Sequence, residues 1–392
     1  MIHAANLMYE DLLKRLDDAY TVKKLEEMIS IPSVVKDEKE LAHYLQNELD
    51  KLGYQTKLQE VEPGRPNVYA KLGKGKGKRL NFYGHMDTVP VVVGWETDPF
   101  KPTKKGGNLY GLGSNDMKGG IACILNMLRA FTESNQPFNG ELSFAGVIDE
   151  EAFGEGAKAM LKTEYGKVDA VVLGEPDTAE PCHGTPLGIT GKVLYDIYVH
   201  GKAAHGFDPA SGINAVEEAG MILTNLPNLK FKKNPNFGQG NYSTLKIEGG
   251  YTIYSVVVPA TCRIEVNRLL VPGETVDYAV KDMERLIKSL KLRSTVEVKT
   301  KPPLYASYEM KKSEPIVNIF EEAYKEVFGL TPEYSYPKGI TDANTIAGKG
   351  GIPCIHLGPK PGGSHQKNEY VELDWLPRIS KVYALMAAKF LS

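Results

Sequence analysis

Short, apolar, β-rich runs that each end in an acidic residue or a histidine constrain the fold of this chain most. The clearest are LNFYGHMD, LSFAGVID over 142–149 and DAVVLGE over 169–175. Runs of this kind are typical of strands that are buried on both faces of a sheet and covered by helices. Amphipathic helical patterns, over 37–52 and from about Asp116 onward, alternate with them. The alternation predicts an α/β fold, with a layered domain around a central, mostly parallel sheet.

The pattern of the chain changes near residue 187. Alternating apolar and polar residues over 193–201 and a strand pair around 243–266 indicate an α+β block, which ends near Pro302 and Pro303. After that block the chain returns to helix, strand and Gly-rich loop. We therefore predict a catalytic domain formed by residues 1–186 and 300–392 and an inserted α+β domain formed by residues 187–299.

Composition limits the partners and the location that we expect. Lys and Arg number 47 against 49 Asp and Glu, a formal net charge of -2, so no nucleic-acid partner is expected. The sequence has no apolar segment of about 20 residues and no basic flank with an apolar run at its start, so we expect no membrane span and no secretory signal. Cys123, Cys182, Cys262 and Cys354 show no CxxC spacing, which is typical of a reduced compartment and predicts a cytoplasmic protein.

His85 and Asp87 lie at the end of the first apolar run. Residues two apart on an extended segment point the same way. A zinc-binding imidazole needs an acceptor for its second N–H, and Asp87 is placed to be that acceptor. Asp116 begins a predicted helix, where backbone N–H groups favour a carboxylate, although such a residue is more often a simple N-cap.

Asp149, Glu150 and Glu151 crowd three carboxylates at the end of a predicted strand. Like charges packed together would raise one another's pKa, and a divalent cation removes that conflict. Adjacent residues point to opposite sides, so one glutamate can bind a metal while its neighbour moves protons. A solvated acidic loop is the ordinary alternative. Glu175 ends another apolar run, and His365 lies in a Gly-rich loop near the C-terminus.

In their order along the chain, these motifs resemble those of the dinuclear zinc aminoacylase and carboxypeptidase family. The segments are GHMDTVP, NDMKGG, DEE, GEP, GKAAHGFDP, NRLLVPGE and SHQKNEY. The family includes acetylornithine deacetylases, succinyl-diaminopimelate desuccinylases, dipeptidases and glutamate carboxypeptidases. The resemblance runs from about residue 20 to the end of the chain. It implies that the inserted domain is a lid and dimerisation domain, and hence that the protein is a homodimer.

The resemblance implies two metal ions. His85, Asp116 and Glu175 would bind one ion, and Asp116, Glu151 and His365 would bind the second, so that Asp116 bridges the pair. These nitrogen and oxygen ligands suit zinc most, and cobalt or manganese as well. Such ions lower the pKa of a shared water toward about 7, so that hydroxide becomes available at neutral pH.

Roles for five further residues follow from the same resemblance. Glu150 would be the general base, and Asp87 would orient the metal-binding histidine of its own motif. His205 would reach the active site of the partner subunit and contact the oxyanion. Arg268 would hold a substrate carboxylate through paired hydrogen bonds. Gly339, and likewise Thr341, would line the substrate pocket.

The function implied is metal-dependent hydrolysis of an amide bond in N-acyl amino acids or small peptides. Glu175, where relatives that are aminopeptidases carry Asp, favours a deacylase or carboxypeptidase. An aminopeptidase with the same site is one alternative, and a non-catalytic protein that binds metal or amino acids is another. A dinuclear phosphoesterase would require more histidines near the metals. His356, within an apolar strand, is predicted to be a core residue rather than a ligand.

Overall fold

The computed structural model of the chain describes residues 9–73, 76–134, 136–176, 184–253 and 256–392. The α-helices are α1 (Glu10–Lys14), α2 (Asp18–Ile29), α3 (Lys39–Lys51), α4 (Lys118–Glu133), α5 (Glu155–Met160), α6 (Ala215–Asn225), α7 (Val276–Ser289), α8 (Pro315–Phe328) and α9 (Trp375–Phe390). Short 3-10 turns lie at Glu164–Gly166, Pro209–Ser211 and Leu226–Asn228, and a π-helical turn lies at Asn344–Lys349.

The strands run from the first third of the chain almost to its last helix. They are β1 (Gln55–Glu62), β2 (Arg65–Gly73), β3 (Lys78–His85), β4 (Thr103–Lys105), β5 (Asn108–Tyr110), β6 (Gly140–Val147), β7 (Ala170–Leu173), β8 (Thr185–Pro186), β9 (Gly188–Ile189), β10 (Gly191–His200), β11 (Lys233–Asn234), β12 (Gly238–Gln239), β13 (Asn241–Gly249), β14 (Thr261–Leu270), β15 (Thr295–Tyr305), β16 (Tyr308–Glu309), β17 (Tyr334–Ser335), β18 (Cys354–His356) and β19 (Tyr370–Glu372).

The chain forms two compact units. Unit 1 runs up to Leu187 and resumes over Met310–Ser335 and Thr341–Ser392, and unit 2 comprises Gly188–Glu309 and Tyr336–Ile340. Strand β15 therefore belongs to unit 2 as a whole, and that unit extends past residue 299. Pro302 and Pro303 stand inside β15 rather than at a boundary, and they are tolerated because β15 is an edge strand of its sheet.

Unit 1 is organised around a six-stranded sheet with the order β1-β2-β6-β3-β7-β18. The strands β6, β3, β7 and β18 are parallel, whereas β1 and β2 pair antiparallel with their neighbours. Every residue of β6 and β7 is buried, which requires cover on both faces of the sheet. The predicted α/β fold with a mostly parallel central sheet is confirmed.

The helices of unit 1 cover this sheet with the apolar faces that their sequences predict. In α3, Leu41, Leu45 and Leu49 recur every four residues, are fully buried, and lie on the side that packs against β1 and β2. Helix α4 is apolar around most of its circumference and is buried along nearly its whole length, because it packs against α2, α9 and β3. The apolar faces of α3 and α4 therefore cover the sheet and form part of the core of unit 1.

Unit 2 contains a four-stranded antiparallel sheet with the order β13-β14-β10-β15. Alternate residues of β10 and β14 point into one core, where α6 and α7 pack on them. The buried residues of this core include Val193, Tyr195, Ile264, Val266 and Met283. Strand β13 forms an edge of the sheet, and most of its residues are exposed.

Three of the four cysteines are described, and each of these three is buried and forms no disulfide bond within the described residues. These are Cys123, Cys262 and Cys354, while Cys182 lies outside the described residues. His356 is fully buried within β18, as expected for a core residue. Within the described ranges, every helix is too short or too polar to cross a lipid bilayer.

Candidate metal centre

The carboxyl ends of the parallel strands in unit 1 carry most of the predicted metal ligands. His85 is the last residue of β3 and pairs with Val147, the last residue of β6, so these two strands end at the same level. Glu151 follows β6, and Glu175 follows β7, the other neighbour of β3. Functional groups gather at this edge of open α/β sheets because successive strands deliver their following loops to one place.

His85 faces two carboxylates through a single ring nitrogen. Its Nε2 lies 3.1 Å from Oδ1 of Asp116 and 3.8 Å from Oε2 of Glu175. Its Nδ1 lies 2.9 Å from the main-chain oxygen of Asp87, an acceptor that fixes the ring proton on Nδ1. The lone pair of Nε2 is therefore directed at the two carboxylates, as a metal ligand requires.

His365 forms a second, similar group with Asp116 and Glu151. Its Nε2 lies 2.9 Å from Oε1 of Glu151 and 3.3 Å from Oδ2 of Asp116. Asp116 thus directs one carboxylate oxygen to each histidine, which is the arrangement of a bridging ligand. The structure brings together all five predicted metal ligands in unit 1.

The spacing of these atoms suits divalent metal ions. The candidate ligand atoms of His85, Asp116 and Glu151 all lie within 4.8 Å of one another. A tetrahedral zinc ion with bonds of about 2.0–2.1 Å would hold its ligand atoms about 3.3 Å apart. The separations of 3.1 and 3.8 Å in the first group and of 2.9 and 3.3 Å in the second lie within about 0.5 Å of that value. The residues therefore fit two ions that share Asp116.

The raised pKa values of the two histidines also indicate a site for divalent cations. Burial lowers the pKa of His85, but the negative charges of Glu175 and Asp116 outweigh it and hold that pKa well above its usual value. Hydrogen bonds to Asp116 and Glu151 raise the pKa of His365 to about 10. Both histidines thus take up protons to balance the carboxylates. Divalent cations supply the same balance and leave the histidines neutral, which is the form that binds metal.

Glu150 stands beside the ligands and is held by Asp87. The N–H of Glu150 donates to one carboxylate oxygen of Asp87 at 3.2 Å, and the N–H of Glu151 donates to the other at 2.9 Å. Burial, with the nearby charge of Glu175, raises the pKa of Glu150 well above its usual value. A carboxylate whose pKa is raised holds a proton more firmly than an ordinary one and is suited to accept and return it.

The role predicted for Asp87 needs a correction in its detail. Its carboxylate lies 3.8 Å from Nδ1 of His85, and its main-chain oxygen is the acceptor of that N–H. The carboxylate turns instead to the backbone of the loop after β6, because two adjacent N–H groups there need an acceptor in a buried place. Asp87 therefore positions the loop of Glu150 as well as the ring of His85.

Asn115 and Glu369 position the ligands, a role that was not predicted for either residue from the sequence. The buried carboxylate of Glu369 accepts from the N–H groups of Gly113, Asn115 and Asp116, each at 2.9 Å. The side chain of Asn115 accepts from the Ser364 hydroxyl at 2.8 Å, next to His365. These bonds hold the loop of Asp116 against the loop of His365. The sequence indicates a role for Asn115 and Glu369 only in that both lie inside the recognised motifs.

The predicted pocket residues Gly339 and Thr341 fall on different units. Thr341 belongs to unit 1, where its N–H donates to the Asn344 side chain at 2.9 Å, and Gly339 is an exposed residue of unit 2. Asp342, which follows Thr341 in unit 1, is a further buried residue whose place was not predicted from the sequence. Asp342 is buried, accepts a hydrogen bond from the Tyr83 hydroxyl at 2.5 Å, and has its pKa raised to about 7 by burial.

His205 belongs to unit 2 and is exposed. Its Nδ1 accepts a hydrogen bond from the N–H of Phe207 at 3.2 Å. A neutral imidazole that accepts at Nδ1 carries its proton on Nε2. His205 therefore presents an N–H donor at the surface of its own unit.

The structure corrects the role predicted for Arg268. The side chain is fully buried, its two terminal nitrogens donate to Asp282 and Glu274 at 2.9 Å each, and one of them also donates to the main-chain oxygen of Lys230 at 2.9 Å. On β14 Arg268 has the same inward orientation as Val266, since alternate residues of a strand face the core. Arg268 is a structural residue of unit 2, and its guanidinium is engaged inside that unit.

These residues lie in a segment of the chain that matches a known protein family. The profile of peptidase family M20/M25/M40 matches residues 81–389, a segment that includes all five ligands and Glu150. A curated relative, succinyl-diaminopimelate desuccinylase from Orientia tsutsugamushi (strain Boryong), is 28% identical over 377 residues. That alignment covers 92% of this chain and 94% of the relative.

Solved structures share the fold. Aminopeptidase PepT from Bacillus cereus superposes with a TM-score of 0.78 at 20% identity, covering 96% of this chain and 100% of that one. The Bacillus subtilis YXEP protein, a dinuclear metal binding peptidase from the M20 family, superposes with a TM-score of 0.68 at 17% identity, covering 95% and 98%. Together with the ligand cluster, the family match supports a site for divalent metal ions.

Proposed function

Since this chain belongs to peptidase family M20/M25/M40, we propose that it hydrolyses the amide bond of an N-acyl amino acid or a short peptide. Membership of that family makes it a hydrolase that acts on amide bonds. The observation that carries the proposal is the carboxylate of Asp116, which offers one oxygen to each of two histidines, with the proton-accepting group Glu150 beside them.

We propose that zinc ions occupy both groups of ligands. His85, Asp116 and Glu175 would hold one ion, and Asp116, Glu151 and His365 the other; cobalt or manganese would suit the same nitrogen and oxygen donors. Such ions supply Lewis acidity toward the amide carbonyl and a lowered pKa for water. Binding of the ions would displace the imidazole protons, and the carboxylates of Asp116, Glu151 and Glu175 would balance most of the positive charge that the ions bring.

The proton transfers belong to Glu150. Its carboxylate is half-buried, and its main chain is fixed by Asp87, so it has a defined position next to the ligands. It would take a proton from the attacking water and return it to the nitrogen of the leaving amine, which departs as a neutral amine. Asp87 positions this base and does not itself touch the substrate.

We propose that His205 donates a hydrogen bond to the oxyanion that forms as the carbonyl becomes tetrahedral. The proton on Nε2 and the exposure of the side chain support this role. The resemblance to the dinuclear zinc aminoacylase and carboxypeptidase family implies that this histidine acts in the partner subunit, so the active form would be a homodimer. Strand β13 supports that assembly, since it is an exposed edge strand with the apolar side chains Leu245 and Ile247 at its surface.

The substrate that we favour is an N-acyl amino acid with a free carboxylate. The desuccinylase that aligns along nearly the whole chain supports an acyl amino acid, and the likeness to an aminopeptidase fold keeps short peptides as the second choice. Recognition of the carboxylate would fall to a residue other than Arg268, which is engaged in the core of unit 2. The reduced, cytoplasmic location stays a prediction from the cysteine usage.

A panel of substrates tests this proposal. Amine release would be measured from acetyl, succinyl and aminoacyl derivatives of amino acids and from unblocked tripeptides, with and without prior removal of metal by a chelator. We expect turnover of at least one acyl amino acid and its loss on metal removal. Preference for unblocked tripeptides would favour the aminopeptidase, and inertness toward the whole panel with metal bound would favour a binding protein.

A further inference from the structure

Arg65, the first residue of β2, lies in a buried group of carboxylates close to the proposed base. Its side chain is 7% exposed. Its Nε donates to Glu38 at 2.9 Å, and a terminal nitrogen donates to Asp149 at 3.0 Å and also contacts Glu38. Both carboxylates are nearly inaccessible, with side chains 0% and 3% exposed. Burial of three charges has a large desolvation cost, so their geometry calls for an explanation beyond stability.

Asp149 links Arg65 to the loop of Glu150 and Glu151. One oxygen of Asp149 meets Arg65, and the other accepts from the N–H groups of Phe153 at 3.2 Å and Glu155 at 3.4 Å. Asp149 itself has a φ of 73°, which is unfavourable for a residue with a side chain and persists only where surroundings hold it. The guanidinium therefore fixes a side chain that accepts two backbone N–H groups of this loop.

Glu38 links Arg65 to the other side of the same loop. The segment that precedes Glu38 is bonded to Thr88, whose N–H donates to Ser33 at 2.9 Å and whose carbonyl accepts from Val35 at 3.0 Å. Thr88 follows Asp87, and the carboxylate of Asp87 accepts the N–H groups of the two loop glutamates. Arg65 thus holds both supports of that loop, through Asp149 on one side and through Glu38 on the other.

We propose that Arg65 is a positioning residue of the hydrolase. Its guanidinium sets the loop over 149–155 and thereby the places of the proton-transfer group Glu150 and the ligand Glu151, without touching the substrate or a metal. This inference rests on the proposed function for the role of Glu150, whereas the role of Arg65 toward Glu151 concerns metal binding alone. A planar guanidinium is suited to the task because it bonds several carboxylates at once in fixed directions, here Glu38, Asp149 and, at the surface, Glu62.

Lys24 offers a matched control for a test. Its side chain is 8% exposed and pairs with Glu48 at 2.6 Å and Glu27 at 2.7 Å, all within unit 1 and on helices α2 and α3. Lys24→Met removes a buried cation from two carboxylates. Arg65→Met removes one from the buried Glu38 and Asp149 and also from the partly exposed Glu62. The turnover number, KM, the melting temperature and Co²⁺ affinity would be measured for both variants.

For Arg65→Met we expect kcat to fall about 10–100-fold with little change in KM, and one Co²⁺ ion to bind about tenfold more weakly. Lys24→Met should lose a similar amount of thermal stability but keep kcat and Co²⁺ affinity within about twofold of the wild type. Arg65→Lys, which keeps the charge without the paired geometry, should recover part of the loss and serves if the Met variant does not fold.

Equal losses of kcat and Co²⁺ affinity in the two Met variants, or wild-type values in Arg65→Met, would overturn the role proposed for Arg65. If the metal-loaded wild type turns over no substrate in the panel, the proposed function fails instead. Co²⁺ binding then still decides the question, because weaker binding in Arg65→Met than in Lys24→Met needs no catalytic activity to be seen.

Discussion

Two clusters of carboxylates, one in each unit, differ in the cation that balances them. In unit 2, Glu274 and Asp282 enclose the guanidinium of Arg268, with N–O distances of 2.9 Å to each. Arginine stays charged at every pH that the protein experiences, so this cluster is balanced from within. Its side chains are buried, and the fold closes around them.

In the unit 1 cluster, the charge of the carboxylates is balanced only when the neighbouring histidines bind protons. Asp116 and Glu151 face His85 and His365, and an imidazole is charged only after it binds a proton. The pKa of each histidine is raised because the neighbouring carboxylates stabilise its protonated form. The Arg268 cluster therefore needs no further positive charge, whereas a cluster that is balanced only by imidazole protons has room for a ligand of positive charge.

The largest effect on kcat is expected for a substitution of Glu150, the residue proposed to transfer protons. Glu150→Gln should lower kcat by about 10²–10⁴-fold while both metals stay bound, because the amide cannot take up the proton of water. Glu155→Gln is the control, a partly exposed carboxylate of the same loop that pairs with Lys158. Near-normal kcat in Glu150→Gln, or an equal loss in Glu155→Gln, would remove Glu150 from the mechanism.

A smaller loss is expected at the exposed histidine of unit 2. His205→Ala should lower kcat by about 10²–10³-fold, the usual effect of removing one oxyanion donor. If the residue acts in the partner subunit, mixing His205→Ala chains with Glu150→Gln chains should restore activity, since hybrid dimers regain one complete site. Random mixing would give about a quarter of wild-type activity.

The result of this mixing experiment separates two arrangements. Recovery of activity requires that the two residues of one active site come from different chains. Mixtures that stay inactive, although hybrid dimers are shown to form, would contradict the action of His205 in the partner subunit. Full activity of a strictly monomeric protein would contradict the dimer as well.

The smallest effect on catalysis is expected for a substitution of Arg268, in the carboxylate cluster of unit 2. Arg268→Met leaves two buried carboxylates without their cation, so the free energy of unfolding should fall by about 3–5 kcal/mol. The kcat of the molecules that remain folded should change less than about twofold. Chemical denaturation and kinetics at a temperature well below the melting point would measure both. A large rise in KM at wild-type stability would restore the substrate role that the burial of Arg268 argues against.

The central sheet and part of the candidate site could be predicted from the sequence because the apolar runs end in potential ligands. Parallel strands must be buried and end together, so His85, Glu151 and Glu175 could be placed at one edge from periodicity alone. The loop of His365, far away along the chain, needed the resemblance to a family. These predictions work because they depend on local pattern and chain order.

What could not be predicted depends on contacts between distant segments. Arg268 on an alternating strand resembles a surface residue until Glu274 and Asp282 fold against it. Arg65 lies in the turn-like segment PGRPN and shows no sign of its bond to Asp149, 84 residues away. The orientation of the Asp87 carboxylate was missed for the same reason, since its partners are N–H groups of another loop.

A titration of the metal-free protein with Zn²⁺, following bound metal and amine release together, tests the central claim most directly. The shared carboxylate of Asp116 predicts two ions per chain, no activity without metal, and activity that is complete only at two equivalents. Undiminished activity in the thoroughly metal-free protein, or saturation of binding at a single ion, would contradict it.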